Sequence, residues 1–388
     1  MALRVAFNAT PLLSPLTGIG NYIVHLGAAL AATGDVDAWS FYRDHWRHEA
    51  PTPPEGGRAV QSAVSRARDV VKPWVPYRRE LRQAVQWILF GRGARRHRIE
   101  LYHEPNFVPI RSDIPFVVTI HDLSWLRHPD THPADRVRWL ERGMPGAIER
   151  AAAVICPSEF VRREVLAEFG VRPELVHTTH LGVSATFRPH TPAETAETLR
   201  GFGLTHGSYI LTVGTIEPRK NVRHVLAAYG NLPATLRERF PLVIAGARGW
   251  RDADLKAELR QQAQRGEVRL LGHVPQLALP ALYAGAALFV FPSLYEGFGL
   301  PPLEAMASGV PVIVSNRASL PEVVGDAAEI VAAEDPEATA ARIASLLNDA
   351  GARAELTRRG AAHVPAFTWA ACAEATLGVY RSALRVGG

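Results

Sequence analysis

Short, continuous apolar runs alternate with stretches of helical pattern along almost the whole chain. In the first half the runs are Val5–Asn8, Leu101–His103, Phe116–Ile120, Val154–Cys156 and Val176–Thr179. In the second half they are Tyr209–Val213, Leu242–Ala245, Val268–Leu271, Leu288–Phe291, Val310–Val314 and Ala328–Val331. Runs that are apolar throughout, rather than at every second residue, suit strands buried on both faces. Strands that alternate with helices make parallel sheets, joined by right-handed crossovers. The rhythm breaks once, near 184–207, at the polar, proline-bearing Ser184-Ala-Thr-Phe-Arg-Pro-His-Thr-Pro-Ala. It restarts at Tyr209. The 388 residues are too many for one α/β core, since domains run roughly 100–200 residues. The expected fold is α/β, with two Rossmann-like, doubly wound parallel-sheet domains facing across a cleft. The first covers 1–190 and the second 205–368.

Other classes are excluded early. No stretch of about 18 apolar residues is present, so no helical membrane span is expected. The opening Met1-Ala-Leu-Arg-Val-Ala-Phe-Asn reads as a first strand rather than a signal peptide. Cys156 and Cys372 are the only cysteines. Two thiols so far apart make neither a disulfide scaffold nor a cysteine zinc site, and they fit a reducing, cytoplasmic setting. They read as small buried hydrophobes.

In doubly wound sheets ligands bind beyond the carboxyl ends of the strands, so the residues after each strand carry the chemistry. After Leu288–Phe291 comes Glu296-Gly-Phe-Gly-Leu-Pro-Pro-Leu-Glu304. Pro301 and Pro302 suit the first turn of a helix, where no amide donor is missed, and Gly309 suits its end. The amides of Phe298, Gly299 and Leu300 are then free to meet an anion. Glu296 and Glu304 can accept hydrogen bonds from vicinal hydroxyls, one pair on a sugar and one on a ribose. After Tyr209–Val213 comes Gly214-Thr-Ile-Glu-Pro-Arg-Lys-Asn221. Asn221 is expected to cap the next helix. Arg219 and Lys220, side by side, suit a diphosphate: a bidentate grip beside a point charge. An ordinary solvated basic pair is the plainer alternative.

Two weaker signals complete the set. His121-Asp122 follows Phe116–Ile120, where the imidazole can contact a transferred sugar, orient an acceptor, or serve as an ordinary loop histidine. Thr17-Gly-Ile-Gly20-Asn-Tyr follows the first strand. Gly18 and Gly20 permit a close approach to phosphate, or simply a tight turn. Position 23 is Ile, not the third small residue of a dinucleotide fingerprint, so a nicotinamide dehydrogenase is disfavoured. The acidic pairs Asp35/Asp37 and Asp252/Asp254 read as turn and surface carboxylates, and no metal site is expected.

Taken together, these residues resemble glycosyltransferase family 4, the retaining enzymes of the GT-B fold. The likeness runs from the Gly18/Gly20 loop to the last helix and is densest from Arg219 to Glu322. The stretches Thr119-Ile-His-Asp-Leu-Ser-Trp-Leu-Arg-His-Pro129 and Pro157-Ser-Glu-Phe160 resemble bacterial mannosyl- and rhamnosyl-type transferases of surface polysaccharide assembly. The resemblance implies a first domain for the acceptor and a second for a nucleotide-sugar donor, with the helix of 369–388 crossing back to the first. Arg219 and Lys220 would hold the donor diphosphate. Glu296, with the amides of Phe298 to Leu300, would grip the sugar, and Glu304 the ribose. The backbone near Val274 would meet the base, His121 would face the transferred sugar, and Gly20 would approach the phosphates. Glu322 would help. No cofactor is implied, the nucleotide-sugar being a substrate. The donor is expected to be GDP-mannose or a related GDP-deoxyhexose, and the acceptor a glycan or lipid-linked glycan. Rivals on the same architecture are a sugar-nucleotide epimerase, a phosphorylase and a non-catalytic nucleotide-sugar sensor or scaffold.

Charge adds one local feature. Residues 1–190 carry 24 Arg and Lys against 19 Asp and Glu, and the remainder 19 against 19. Within 43–98 the balance is 13 to 5. Residues 66–98 interleave Arg66, Arg68, Lys72, Arg78, Arg79, Arg82, Arg92, Arg95, Arg96 and Arg98 with Trp74, Tyr77, Trp87 and Phe90. Tyr77, Leu81, Val85, Ile88 and Leu89 follow helical spacing, giving one apolar face. The segment reads either as an interfacial helix on the anionic inner face of a membrane or as a core-facing helix with a solvated basic side. Nucleic acid is not expected, since no recognition motif accompanies the charge.

Overall fold

A computed structural model describes residues 2–14, 16, 18–53, 78–247, 259, 261–263, 266 and 268–386. Arg66, Arg68, Lys72, Trp74, Tyr77, Asp252 and Asp254 lie outside the described residues.

Two sheets carry the fold. The first has the order β3-β2-β1-β4-β5-β6-β7. Its strands are β1 (Leu3–Asn8), β2 (Val36–Tyr42), β3 (His45–Arg47), β4 (Leu101–Glu104), β5 (Phe116–Thr119), β6 (Ala153–Cys156) and β7 (Val176–Thr178). All neighbours are parallel except β3, which turns back antiparallel on β2. The second sheet is parallel, in the order β10-β9-β8-β11-β12-β13. Its strands are β8 (Ile210–Val213), β9 (Leu242–Ala245), β10 (Val268–Gly272), β11 (Leu288–Phe291), β12 (Val312–Ser315) and β13 (Glu329–Val331). The central strands β4, β5, β6, β9, β11 and β12 are buried at every residue. Two-sided burial is what makes their sequences continuously apolar.

Both sheets reverse direction once. In the first, connections run outward from β1 through β2 and then restart at β4; in the second, from β8 through β9 and β10 and then restart at β11. At each reversal the loops beyond two neighbouring strands part and leave a crevice. The two crevices lie beyond β1 and β4, and beyond β8 and β11.

Several details depart from the sequence reading. The strands β2 and β3 were not anticipated. Asp37 is a strand residue of β2, paired with Arg4 at 3.6 Å and bonded to His48, and Asp35 pairs with Arg381 at 2.9 Å. Strand β12 starts at Val312 rather than Val310, because Pro311 has no amide to give the ladder. The linker contains a helix, Pro192–Gly201, opened by a reciprocal capping box between Thr191 and Glu194. Its Leu199, with Phe187 and Leu204, joins the core beside Tyr283.

The closing helix Trp369–Val386 returns to the first domain and packs on the helix Gly18–Ala32. Its Tyr380 hydroxyl meets buried His103 at 2.6 Å, and the other His103 nitrogen meets Thr119 at 2.7 Å. Burial depresses the His103 pKa to about 3, so this bridge is neutral. Cys156 and Cys372 are both buried and unpaired.

The basic helix Arg78–Arg96 corrects the expected apolar face. Phe90 and Ala94 face the core, whereas Val85, Trp87 and Ile88 are nearly half exposed. Gly93 fits against Trp46, where a Cβ would lie 1.9 Å from the indole nitrogen. The outward stripe runs from Val85 and Ile88 to Arg92 and Arg95. No helix among the described residues is long and apolar enough to cross a membrane.

Candidate functional site

The crevice of the second sheet gathers charge. Pro218–Lys220 form a single 3-10 turn after β8, which brings Arg219 and Lys220 to the loop after β11. Lys220 Nζ donates to Glu296 Oε1. Arg219 Nη1 donates to the Tyr295 carbonyl at 3.1 Å and to Glu296 Oε2 at 3.4 Å. Its Nε lies 2.6 Å from Glu217 Oε1. Ser293 Oγ adds a hydrogen bond to Glu296 at 2.7 Å. Burial alone would raise the Glu296 pKa, but Lys220 and Arg219 pull it below the ordinary carboxylate range. Burial lowers that of Lys220, and Glu296 opposes the fall. The cations are therefore fixed in place by carboxylates before any ligand arrives. Arg219 Nη2 makes no hydrogen bond among the described residues.

The helix Leu300–Ala307 opens beside them. Gly299, at φ +114°, takes a left-handed turn that glycine alone adopts readily. The amides of Phe298, Gly299 and Leu300 make no hydrogen bond among the described residues. Free amides at a helix start, next to two fixed cations, favour an anion. Glu304 lies on that helix, beside the Tyr283 hydroxyl, and burial raises its pKa to about 7. Val274 is buried beyond β10.

Asn221 does not cap the following helix. It sits at φ +56°, and its amide donates to the carbonyls of Pro292 and Ala333 at 3.1 and 2.9 Å. It fastens the Arg219 loop to the loops after β11 and β13 instead.

Across the cleft stands His121, half-buried beyond β5. Its Nε2 lies 2.9 Å from the Pro105 carbonyl, and burial lowers its pKa. Tyr22 sits edge-on at 4.8 Å. Asp122 is held ionised against burial by Arg219 and by hydrogen bonds from Ser124. At Gly297 the two domains touch. A Cβ there would lie 1.8 Å from the His121 carbonyl oxygen, so only glycine fits. Ser158 Oγ donates to the Gly297 carbonyl at 2.6 Å, and Tyr295 accepts from the Leu123 amide at 3.0 Å. Glu322 also crosses the cleft, accepting from the amides of Glu159 and Phe160 at 2.7 and 2.9 Å. The structure thus brings His121, Arg219, Lys220, Glu296 and the 298–300 amides to one place.

The glycine loop is more distant in character. Gly18 opens the helix Gly18–Ala32 with open space where a Cβ would stand. Gly20 is buried, and its Cβ position lies 2.9 Å from Leu16 Cδ2. Packing against Leu16 accounts for a small residue there.

The sequence reading did not single out Ser293, Tyr295, Ser158 or Glu217. Glu217 stood inside the quoted motif, and its signal was adjacency to Arg219. Asn8, Tyr102 and Glu104 were also missed. They fill the crevice of the first sheet with a buried hydrogen-bonded cluster. Only Glu104, a charged residue closing an apolar run, hinted at it.

Comparison with known proteins bears on the whole chain. The model of the family "Glycosyltransferase Family 4" matches residues 16–187, and that of "Glycosyl transferases group 1" matches 203–363. The chain is 37% identical to the O-antigen chain mannosyltransferase B of Escherichia coli, over 98% of this chain and 100% of that protein. It is 31% identical to the serotype-specific mannosyltransferase WbdA of Escherichia coli, over 66% of this chain and 32% of that longer protein. Among solved structures, the sucrose-phosphate synthase of Thermosynechococcus elongatus superposes with a TM-score of 0.73 at 20% identity, each chain fully covered. An Anabaena protein, HepE, solved with UDP and glucose, gives 0.71 at 16%, with 98% of this chain and 100% of that one covered. These structures share the GT-B fold.

Proposed function

This chain belongs to glycosyltransferase family 4, and from that premise we propose that it moves a mannosyl or related deoxyhexosyl residue from a GDP-sugar onto a glycan or lipid-linked glycan of a surface polysaccharide. The transfer retains the anomeric configuration and uses neither metal nor cofactor. The observation that carries the reading is Arg219 and Lys220, fixed at the crevice of the second sheet beside the free amides of Phe298 to Leu300.

Breaking the bond between the anomeric carbon and the phosphate oxygen builds charge on the leaving diphosphate. Arg219 Nη2, the Lys220 ammonium and the three amides stabilise that charge. Such preorganised donors are the largest contribution in many enzymes. Glu296 holds the cations and offers its oxygens to sugar hydroxyls, and Glu304 accepts from the ribose. The backbone near Val274 meets the base, and Gly18 and Gly20 border the phosphates. His121 meets the transferred sugar from the other side. Departure and attack on the same face of the sugar would give retention without a carboxylate nucleophile. Domain closure, fastened at Gly297 and Glu322, excludes water.

We assign the acceptor to the 1–190 domain, the donor to 205–368, and the helix of 369–388 to the link between them. The protein works in the cytoplasm, at the inner face of the membrane. The exposed stripe Val85, Trp87, Ile88, Arg92 and Arg95 suits an anionic bilayer.

The test is transfer from GDP-mannose to a lipid-linked polysaccharide primer in EDTA, with the product anomer read by NMR. An α-linked product supports the reading. An inverted product, a need for metal, or conversion of the donor with no acceptor would replace it. Sedimentation with phosphatidylglycerol vesicles tests the membrane contact, which Trp87→Ser with Ile88→Ser should weaken.

A further inference from the structure

The crevice of the first sheet holds a cluster that the transfer reaction, as described so far, does not use. Asn8 ends β1 and Glu104 ends β4, two neighbouring strands at the reversal of the sheet. Asn8 Nδ2 donates to Glu104 Oε2 at 2.8 Å, and the Tyr102 hydroxyl donates to the same oxygen. The Asn106 amide donates to Glu104 Oε1 at 2.9 Å. Tyr102 accepts in turn from the Ile110 amide at 3.2 Å, and Asn8 Oδ1 from the Thr10 amide at 3.1 Å. Glu104 and Tyr102 are fully buried. Three side chains thus pin the loops after β1 and β4 together.

The pinned loop touches the site. Its Phe107 is buried at φ +67°, a left-handed conformation that a bulky side chain does not adopt unless its surroundings impose it. Asn106, one residue earlier, is fixed by Glu104. Pro105, between them, presents its carbonyl to His121 Nε2. A carbonyl only accepts, so Nε2 carries the proton and Nδ1 is left as the acceptor of a neutral ring. His121 Nδ1 makes no hydrogen bond among the described residues.

We propose that Glu104 is a positioning residue for the transfer step: through the Asn106 amide and the Pro105 carbonyl it fixes His121 as the Nε2-protonated tautomer, with Nδ1 turned over to a substrate hydroxyl. This rests on His121 being part of the site. Glu104 itself touches no substrate. Asn8 and Tyr102 share its Oε2, so that Oε1 remains for Asn106. A glutamine at 104 keeps the shape but offers a single acceptor oxygen, so the loop amide or the Asn8–Tyr102 pair loses its partner.

The decisive readout is the tautomer of His121, taken from imidazole nitrogen NMR of the full chain labelled at histidine and assigned with His121→Asn. The wild type should show Nε2 protonated and Nδ1 bare. In Glu104→Gln that signature should be lost or averaged. Its kcat should fall about ten- to a hundredfold, the scale of a misplaced catalytic contact, while the KM for the donor and the rise in melting temperature on adding nucleotide change little. A wild-type His121 protonated on Nδ1 would overturn the proposal, even if the variant does not fold. So would a Glu104→Gln enzyme with full kcat, or one that loses rate with the tautomer intact. Full activity of His121→Ala would instead sink the site reading on which the proposal rests.

Discussion

The same crevice occurs twice in this molecule, and the two are filled with opposite chemistry. Beyond β8 and β11, Arg219 and Lys220 meet Glu217 and Glu296, two cations against two carboxylates. Beyond β1 and β4, Asn8 and Tyr102 close on one carboxyl group, and no cation among the described residues joins them. Burial pushes the Glu104 pKa up to about 7, against hydrogen bonds from Tyr102, Asn8 and Asn106. In the second sheet the opposite sign wins at Glu296, because two cations outweigh burial. In the proposed reaction, one crevice receives an anion that acquires charge during transfer. The other fixes loops and a neutral histidine. The shared reversal of strand order therefore sets where chemistry can occur, and the side chains decide which kind.

The largest expected effect breaks the charged crevice. Glu296→Ala leaves two buried cations without their shared partner, and removing one side of such a pair costs about 3–5 kcal/mol. Urea unfolding should show that loss; a change under about 1 kcal/mol would mean that the network is solvated. Arg219→Ala acts on the reaction as well as on the fold, since it also leaves Glu217 without its partner. Its kcat should drop about a hundred- to a thousandfold, and a near-normal kcat would remove Arg219 from leaving-group stabilisation.

Glu304 sharpens the comparison, because its raised pKa lies within reach of ordinary buffers. As a carboxylate it accepts from ribose hydroxyls better than as an acid. Nucleotide affinity should therefore rise as pH rises through about 7, and Glu304→Gln should flatten that dependence. The sign for stability is the reverse. The buried acid favours folding fully below the unfolded pKa of about 4.3, and that contribution fades as pH rises through about 7. Calorimetric titration across this range measures the first effect and thermal melts the second.

The smallest effect tests the neutral side. Tyr380→Phe removes the hydroxyl that joins the closing helix to His103. It should cost about 1 kcal/mol, the usual net value of one hydrogen bond, and leave the donor KM unchanged. A loss of donor binding would couple the two crevices through the closing helix.

How legible each crevice was in the sequence follows from the same difference. The basic pair, the Glu296–Glu304 spacing and the glycine–proline loop sit in single short stretches, and strands apolar throughout announced where those stretches begin. The neutral cluster joins residues 96 positions apart, and the His103–Tyr380 bridge joins residues 277 apart. Neither has a local pattern to read. Strand β2 escaped because Asp37 interrupts its apolar run, half-buried on the face that meets Arg4 and His48. The linker helix had a readable signal in Thr191-Pro-Ala-Glu194, a capping box in a stretch whose prolines suggested only a loop. On the basic helix, spacing alone could not tell which of two apolar stripes faces inward. Tertiary contacts with Trp46 and Tyr102 chose Phe90.

The measurement that reaches the central claim most directly is thermal unfolding with GDP, UDP and ADP, each in EDTA and in magnesium. If fixed cations and amides alone hold the diphosphate, one nucleotide at about 100 times its dissociation constant stabilises the fold by roughly 2.7 kcal/mol. That shift should survive EDTA and vanish in Arg219→Ala. No shift with any nucleotide, or a shift that appears only with magnesium, would contradict a donor site built on Arg219 and Lys220.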